Sequence, residues 1–248
     1  MSTAEPILIV QTGAAPAEVR ARFGDFPDWF THALGGNGTR TVRVDTGGRL
    51  PPPDEVNAAV ITGSAAMVSE HLPWSEATAG WLREAADSGA ALLGVCYGHQ
   101  LLAHAFGGGV DYHPDGREIG TIEVDTLPSA RDDALFGKVI GRHPAQATHE
   151  QSVLELPTGA VRLASSAHDP NQAVRYRPRV WGVQFHPEFS ADVMRAYIRL
   201  REAHLRDEGL DPDALEAGVA PSPELGRLLL AFRALAEQPD RKARGASA

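Results

Sequence analysis

The sequence predicts an α/β fold of three layers, built on an open, mostly parallel β-sheet with a small antiparallel extension and C-terminal helices. Short, continuously apolar runs such as Ile7-Leu8-Ile9-Val10 and Ala58-Ala59-Val60-Ile61 have the unbroken hydrophobicity of strands buried on both faces. Segments of helical period stand between these runs, the alternation that covers a parallel sheet on two sides. After Gly107-Gly108-Gly109 the alternation stops, and strand-like runs follow one another with few long helices between them.

Taken in order, Ile7–Val10 is the first buried strand. Residues 16–34 carry Val19, Phe23, Phe26, Trp29 and Phe30 on a helical period, with a break near Gly24. Thr41–Val44 and Ala58–Ile61 are the second and third strands, and Pro51-Pro52-Pro53-Asp54 between them is a turn. A helix opens on Pro73-Trp74 and runs to Ala86, and the Ala91–Val95 strand leads into a helix-like stretch, Leu101–Phe106. The runs Ile119–Val124, Val161–Ser165, Ala173–Tyr176 and Val180–Phe185 make the antiparallel or mixed extension. The Gly35-Gly36-Asn37-Gly38 and Gly107–Gly109 stretches lack the Lys-Ser/Thr of a phosphate-binding loop and read as turns and a helix end. Domain organisation is expected as a catalytic domain over 1–205 and a C-terminal helical extension and tail over 206–248. In the extension, Leu225, Leu228, Leu229, Phe232 and Leu235 recur at helical spacing. That face is expected to pack on the domain; the alternative is a docking face for a partner. Residues after about Gln238 have the composition of a disordered tail.

The chain has 248 residues, 43% of them hydrophobic, and a formal charge of −9, with a pI near 5.5. This balance offers no basic surface to track phosphates, so no nucleic-acid partner is expected, and Arg241-Lys242-Ala243-Arg244 reads as a solvated end. No run is long and apolar enough to span a bilayer, and the N-terminus lacks the basic start and apolar core of a signal peptide. A single cysteine leaves no internal disulfide, which suits a reducing cytoplasm.

That cysteine lies in Gly94-Val95-Cys96-Tyr97-Gly98-His99-Gln100. Glycines two residues before and after, between a strand and a helix, make a sharp turn that leaves the side chain at its tip. The thiol then lies over a helix N-terminus, which favours thiolate. A lone cysteine is more often a small buried hydrophobe; the turn shifts the reading to a nucleophile. A nucleophilic sulfur needs a base, and the base an orienting acceptor. His186-Pro187-Glu188 closes the last strand-like run. In an extended chain, side chains two apart share a face, roughly 6–7 Å apart at the backbone. Glu188 can thus hold the far nitrogen of His186 while the near one faces Cys96. The order cysteine, histidine, acid differs from the nucleophile-acid-histidine order of α/β-hydrolases.

These residues resemble the class I glutamine amidotransferases, whose pattern is G-x-C-x-G-x-Q followed far downstream by H-P-E. The likeness extends through Val60-Ile61-Thr62-Gly63-Ser64, Pro73-Trp74, Glu118-Ile119-Gly120 and Thr148-His149-Glu150-Gln151-Ser152-Val153, over about residues 5–200. Within the family it is nearest to stand-alone proteins similar to the amidotransferase domain of GMP synthase, and the Ile-Thr-Gly-Ser and Pro-Trp elements also resemble γ-glutamyl peptidases. The resemblance implies a flavodoxin-like sheet and hydrolysis of a γ-carboxamide through a thioester on Cys96, with His186 and Glu188 completing the triad. It implies oxyanion donors at the backbone N–H groups of Tyr97 and Gly63, although the usual Gly-Gly-Pro is here Gly63-Ser64-Ala65. It places Gln100 and the loop His149-Glu150-Gln151 by the substrate. The substrate would be glutamine or a γ-glutamyl small molecule, and a synthase could receive the ammonia in trans. No metal or other cofactor is implied; His99 and His104 lack the one-turn spacing of a helical ligand pair. Three readings stay open: a glutaminase serving a separate acceptor enzyme, a self-sufficient γ-glutamyl hydrolase, and a non-catalytic or redox-sensing protein with Cys96 as its thiol.

Overall fold

The computed structural model of the chain describes residues 5–238. The tail expected to be disordered and its Arg241–Arg244 run lie outside the described residues. The first half alternates as the apolar runs require: β1 (Ile7–Gln11), α1 (Ala17–Phe23), α2 (Phe26–Ala33), β2 (Thr39–Arg43), β3 (Ala58–Ile61), α3 (Pro73–Asp87), β4 (Ala91–Val95) and α4 (Tyr97–Ala105). The second half contributes β5 (Gly109–Tyr112), β6 (Glu118–Thr126), β7 (Arg142–His149), β8 (Gln151–Glu155), β9 (Val161–Ser165), β10 (Ala173–Arg177) and β11 (Val180–Val183). It closes with α5 (Ala191–Leu200), α6 (Glu202–Asp207), α7 (Pro212–Ala217) and α8 (Pro223–Ala236).

The break expected near Gly24 separates α1 from α2. Gly24 takes φ 81°, and Asp25 caps α2 by accepting from the Phe26 N–H, while Asp28 accepts from the Asp25 N–H.

Nine strands form one sheet in the order β2-β1-β3-β4-β11-β10-β9-β6-β7. The β2-β1-β3-β4-β11 part is parallel, and the β11-β10-β9-β6-β7 part is antiparallel. Strands β5 and β8 pair separately as a small antiparallel sheet. The two parts join at β11. It returns from the antiparallel half to lie parallel beside β4, with Val183 opposite Val95, so the residues after each strand emerge at the same sheet edge.

Side-chain alternation divides the core into two layers. Ile7, Ile9, Val60, Leu93 and Trp181 face α2, α5 and α8, among Phe26, Phe30, Ile198 and Phe232. Leu8, Val10, Ile61, Leu92 and Val180 face α3 and α4, among Leu82, Leu101 and Leu102. Each fully buried aliphatic or aromatic side chain contributes about 1.5–3 kcal/mol. α8 belongs to the first of these layers: Leu225, Leu228, Leu229 and Phe232 are all buried within it.

Two stretches differ from the sequence reading. β7 and β8 carry no continuous apolar run, because Arg142-His143-Pro144 opens the first and Glu155 ends the second. The expected loop His149-Glu150-Gln151 is therefore the tight connection between two strands, and only Glu150 lies outside them.

Candidate active site

The turn after β4 is built by two glycines that no other residue can replace without moving backbone. A Cβ on Gly94 would stand 2.3 Å from the Gly98 carbonyl oxygen, and one on Gly98 would stand 2.4 Å from the Ile61 carbonyl oxygen. Between them Cys96 takes φ 53° and ψ −107°, a conformation rare for a residue with a side chain. The strain is held on both sides: the Cys96 N–H donates to Val183 O at 2.8 Å, and the Cys96 carbonyl accepts from the Gln100 N–H at 3.1 Å. Sγ thus sits at the N-terminus of α4, 3.8 Å from the Thr148 carbonyl oxygen.

His186 arrives from the other direction. The chain leaves β11 through Gln184 and Phe185, and the His186 N–H donates to Gln146 O on β7 at 2.7 Å. The His-Pro-Glu segment is a turn rather than an extended strand end, because the Phe189 N–H folds back to His186 O. The turn still delivers the expected pair: His186 Nδ1 lies 2.7 Å from Glu188 Oε1, and both side chains are buried. Phe189 stacks on the imidazole with ring centroids 4.1 Å apart. On the opposite side of the ring, Nε2 is buried without an oxygen or nitrogen partner. Burial acts to lower the imidazole pKa, but the Glu188 carboxylate and the neighbouring Cys96 sulfur outweigh it and raise it to about 10. The ring therefore favours the imidazolium form beside the sulfur.

Cys96 and His186 open on one cavity of about 130 Å³, lined also by Ala14, Phe26, Ser64, Thr148, Tyr197 and Arg201. Gly63 stands against the imidazole: a Cβ there would come within 3.1 Å of His186 Cε1. Its carbonyl is turned away and accepts from the Thr12 and Thr62 hydroxyls, each at 3.0 Å. The Ser64 hydroxyl, which donates to Thr12 O at 2.9 Å, ties down the following residue. Among the described residues neither the Gly63 N–H nor the Tyr97 N–H has an acceptor. Such free N–H groups near a nucleophile can receive a developing oxyanion.

The other two residues singled out in the sequence are engaged in the framework behind the cavity. Gln100 Nε2 donates to Gln151 O at 2.6 Å and to Gln184 Oε1 at 3.0 Å. His149 is buried between Glu118 Oε2 at 2.9 Å and Gln151 O at 3.0 Å. Neither lines the cavity. The structure instead adds the Thr148 carbonyl, Tyr197 and Arg201. Thr148 belongs to the Thr148–Val153 motif; Tyr197 and Arg201 carry no sequence signal, since one reads as a helix-core aromatic and the other as a surface charge. Elsewhere, His71, Glu76 and His104 bring one potential metal-ligand atom each within 4.8 Å of one another. Glu76 accepts from both rings, so the three already satisfy one another.

The family model described as glutamine amidotransferase class-I matches residues 50–202. A glutamine amidotransferase-like protein of Schizosaccharomyces pombe is 26% identical over 87% of this chain and 92% of its own length. A glutamine-hydrolyzing GMP synthase of Parasynechococcus marenigrum is 37% identical over 51% of this chain, and the chain spans only 22% of that protein. A glutamine-hydrolyzing GMP synthase subunit of Methanopyrus kandleri is 33% identical over 44% of this chain and 60% of its own. Among solved structures, a glutamine amidotransferase of Thermotoga maritima superposes with a TM-score of 0.73 at 22% identity, covering 94% of this chain and 99% of that one. One from Methylobacillus flagellatus gives 0.69 at 24%, covering 95% and 92%. At these identities the structural likeness concerns the fold.

Proposed function

The chain belongs to the class I glutamine amidotransferase family, and from that premise we propose that it hydrolyses the γ-amide of glutamine through a thioester on Cys96, releasing ammonia for a separate acceptor enzyme. One observation carries the reading. His186 is bonded through Nδ1 to Glu188 at 2.7 Å, keeps Nε2 without an oxygen or nitrogen partner, and shares a cavity with a cysteine held at a strained turn.

The Cys96 thiolate attacks the amide carbon, and the carbonyl oxygen becomes an oxyanion between the N–H groups of Gly63 and Tyr97. The imidazolium of His186 gives its proton to the departing nitrogen, and ammonia leaves as the tetrahedral adduct collapses to the thioester. The neutral imidazole then takes a proton from water, the hydroxide attacks the thioester, and Cys96 leaves as thiolate with glutamate as product. Glu188 keeps the ring oriented and its charge compensated throughout. Tyr197 and Phe26 line the cavity.

A second reading, a self-sufficient γ-glutamyl hydrolase, is favoured by the oxyanion donors: among the described residues neither the Gly63 nor the Tyr97 N–H is taken by an acceptor, so both stay available without a partner's help. One experiment separates the two. The purified protein is offered glutamine and a panel of γ-glutamyl peptides, and the released ammonia or amine is followed. Hydrolysis of glutamine above that of the peptides supports the glutaminase, and steady turnover of the peptides with glutamine a poor substrate supports the second reading. Absence of any acylation of Cys96, with ready oxidation of its thiol by peroxide, would leave only the redox role.

A further inference from the structure

We propose that Arg201 makes the cavity beside Cys96 a carboxylate subsite, so that the substrate of this site carries a carboxylate on the carbon chain that bears its scissile amide. The assignment deepens the amide-hydrolysis reading and rests on it.

Arg201 sits where α5 ends and α6 begins, its N–H donating to Tyr197 O and Ile198 O. The guanidinium carbon lies 5.1 Å over the Tyr197 ring, which limits the motion of the group. The side chain lines the same cavity as Cys96 and His186, and among the described residues it is the only Arg or Lys that does so. Its Nη1 is buried without an acceptor, and no carboxylate among the described residues comes within ion-pair distance of it. Other arginines of the chain do better: Arg117 reaches Glu150 at 2.6 Å and Glu208 at 2.8 Å, and Arg43 reaches Asp45 at 2.9 Å. Burial, followed by repulsion from Arg117, holds the Arg201 pKa below its ordinary value, as expected for a cation whose counter-ion is missing.

Arg201 is half-buried, and a cation that lines a cavity without a protein counter-ion favours an anionic occupant. The cavity supplies no protein carboxylate for the task, since none of the lining residues is Asp or Glu. A planar guanidinium matches a carboxylate in two parallel hydrogen bonds. A γ-glutamyl group offers its amide carbon to Cys96 and its α-carboxylate to Arg201 at once. The positive charge also fixes the direction of binding, because the α-ammonium group of the same molecule is repelled from it. The competing role for the same side chain is a counter-ion to the Cys96 thiolate. The two roles differ in what they move: a carboxylate partner sets substrate affinity and selectivity, whereas a thiolate counter-ion sets kcat and its pH profile.

The test compares L-glutamine with L-glutamine α-amide, which differ only in the charge at the α-carboxyl position. The wild type, Arg201→Lys and Arg201→Met are assayed, each first checked for wild-type circular dichroism. Expected is a wild-type kcat/KM at least tenfold higher for glutamine. Arg201→Met raises KM for glutamine tenfold or more, leaves kcat within a few-fold and erases the preference, and Arg201→Lys restores part of it. An unchanged preference in Arg201→Met, or a loss confined to kcat with a displaced pH profile, overturns the subsite. If the wild type hydrolyses neither compound, the amide-hydrolysis reading fails separately. Calorimetry of L-glutamate on Cys96→Ala with and without Arg201→Met then decides the subsite: binding lost with the arginine sustains it, and binding absent or indifferent to the arginine removes it.

Discussion

His186 keeps a proton where burial opposes it, and the reason is local. Glu188 accepts from Nδ1 at 2.7 Å, and the sulfur of Cys96 stands on the other side. His186→Asn removes base and proton donor together, so kcat/KM is expected to fall by about 10²–10⁴-fold, read by ammonia release from glutamine. Glu188→Gln leaves the ring in place but without its charge, and a smaller loss is expected, with the alkaline limb of the pH–rate profile moving to lower pH. The same pair shapes stability. A histidine whose folded pKa, about 10, exceeds its ordinary 6.5 stabilises the fold fully below the lower value and loses that contribution as pH rises through the higher one. Urea midpoints measured near pH 6 and near pH 10 should therefore fall more in the wild type than in Glu188→Gln; equal falls would remove the pair from the pH dependence.

At the scale of elements, the elbow between β4 and α4 depends on backbone approaching backbone. Gly98→Ala would push a methyl against Ile61 O at 2.4 Å, and neither atom can yield without parting α4 from β3. A loss of about 1–3 kcal/mol or more is expected by urea denaturation, with kcat falling as the Tyr97 N–H shifts. Gly80→Ala is the contrast. Gly80 lies within α3, where the nearest atom to an added Cβ is the far end of Arg83 at 3.7 Å, so the substitution should stabilise by about 1 kcal/mol. These elements were legible in the sequence for a physical reason. β1, β3 and β4 are buried on both faces and so read as unbroken apolar runs, and a glycine-flanked cysteine between strand and helix has few other uses. β7 was not legible, because one strand carries Arg142, His143 and Pro144 at its exposed end and the buried Ala145, Gln146 and Ala147 further on. Gln146 is nonetheless the residue whose carbonyl anchors the His186 backbone. Arg201 was illegible for a related cause: its position in the cavity depends on how α5 packs, which no local pattern encodes.

On the scale of the whole molecule, the candidate active site is the meeting point of distant segments. Cys96 follows β4, His186 and Glu188 follow β11, and the two strands are parallel neighbours although most of the antiparallel half lies between them in the chain. The C-terminal helix closes this arrangement. α8 packs Phe232 edge-on to Trp181 of β11, with ring centroids 6.4 Å apart, and a Cβ on its Gly226 would lie 3.4 Å from the Pro187 carbonyl oxygen. The helix thus backs both the strand that delivers the histidine and the turn that holds it. Phe232 is completely buried, so Phe232→Ala is expected to cost about 3–5 kcal/mol, with unfolding still a single transition when tryptophan fluorescence and loss of glutamine hydrolysis are followed together. A docking face for a partner would behave otherwise: the substitution would leave the urea midpoint of the isolated protein where it was.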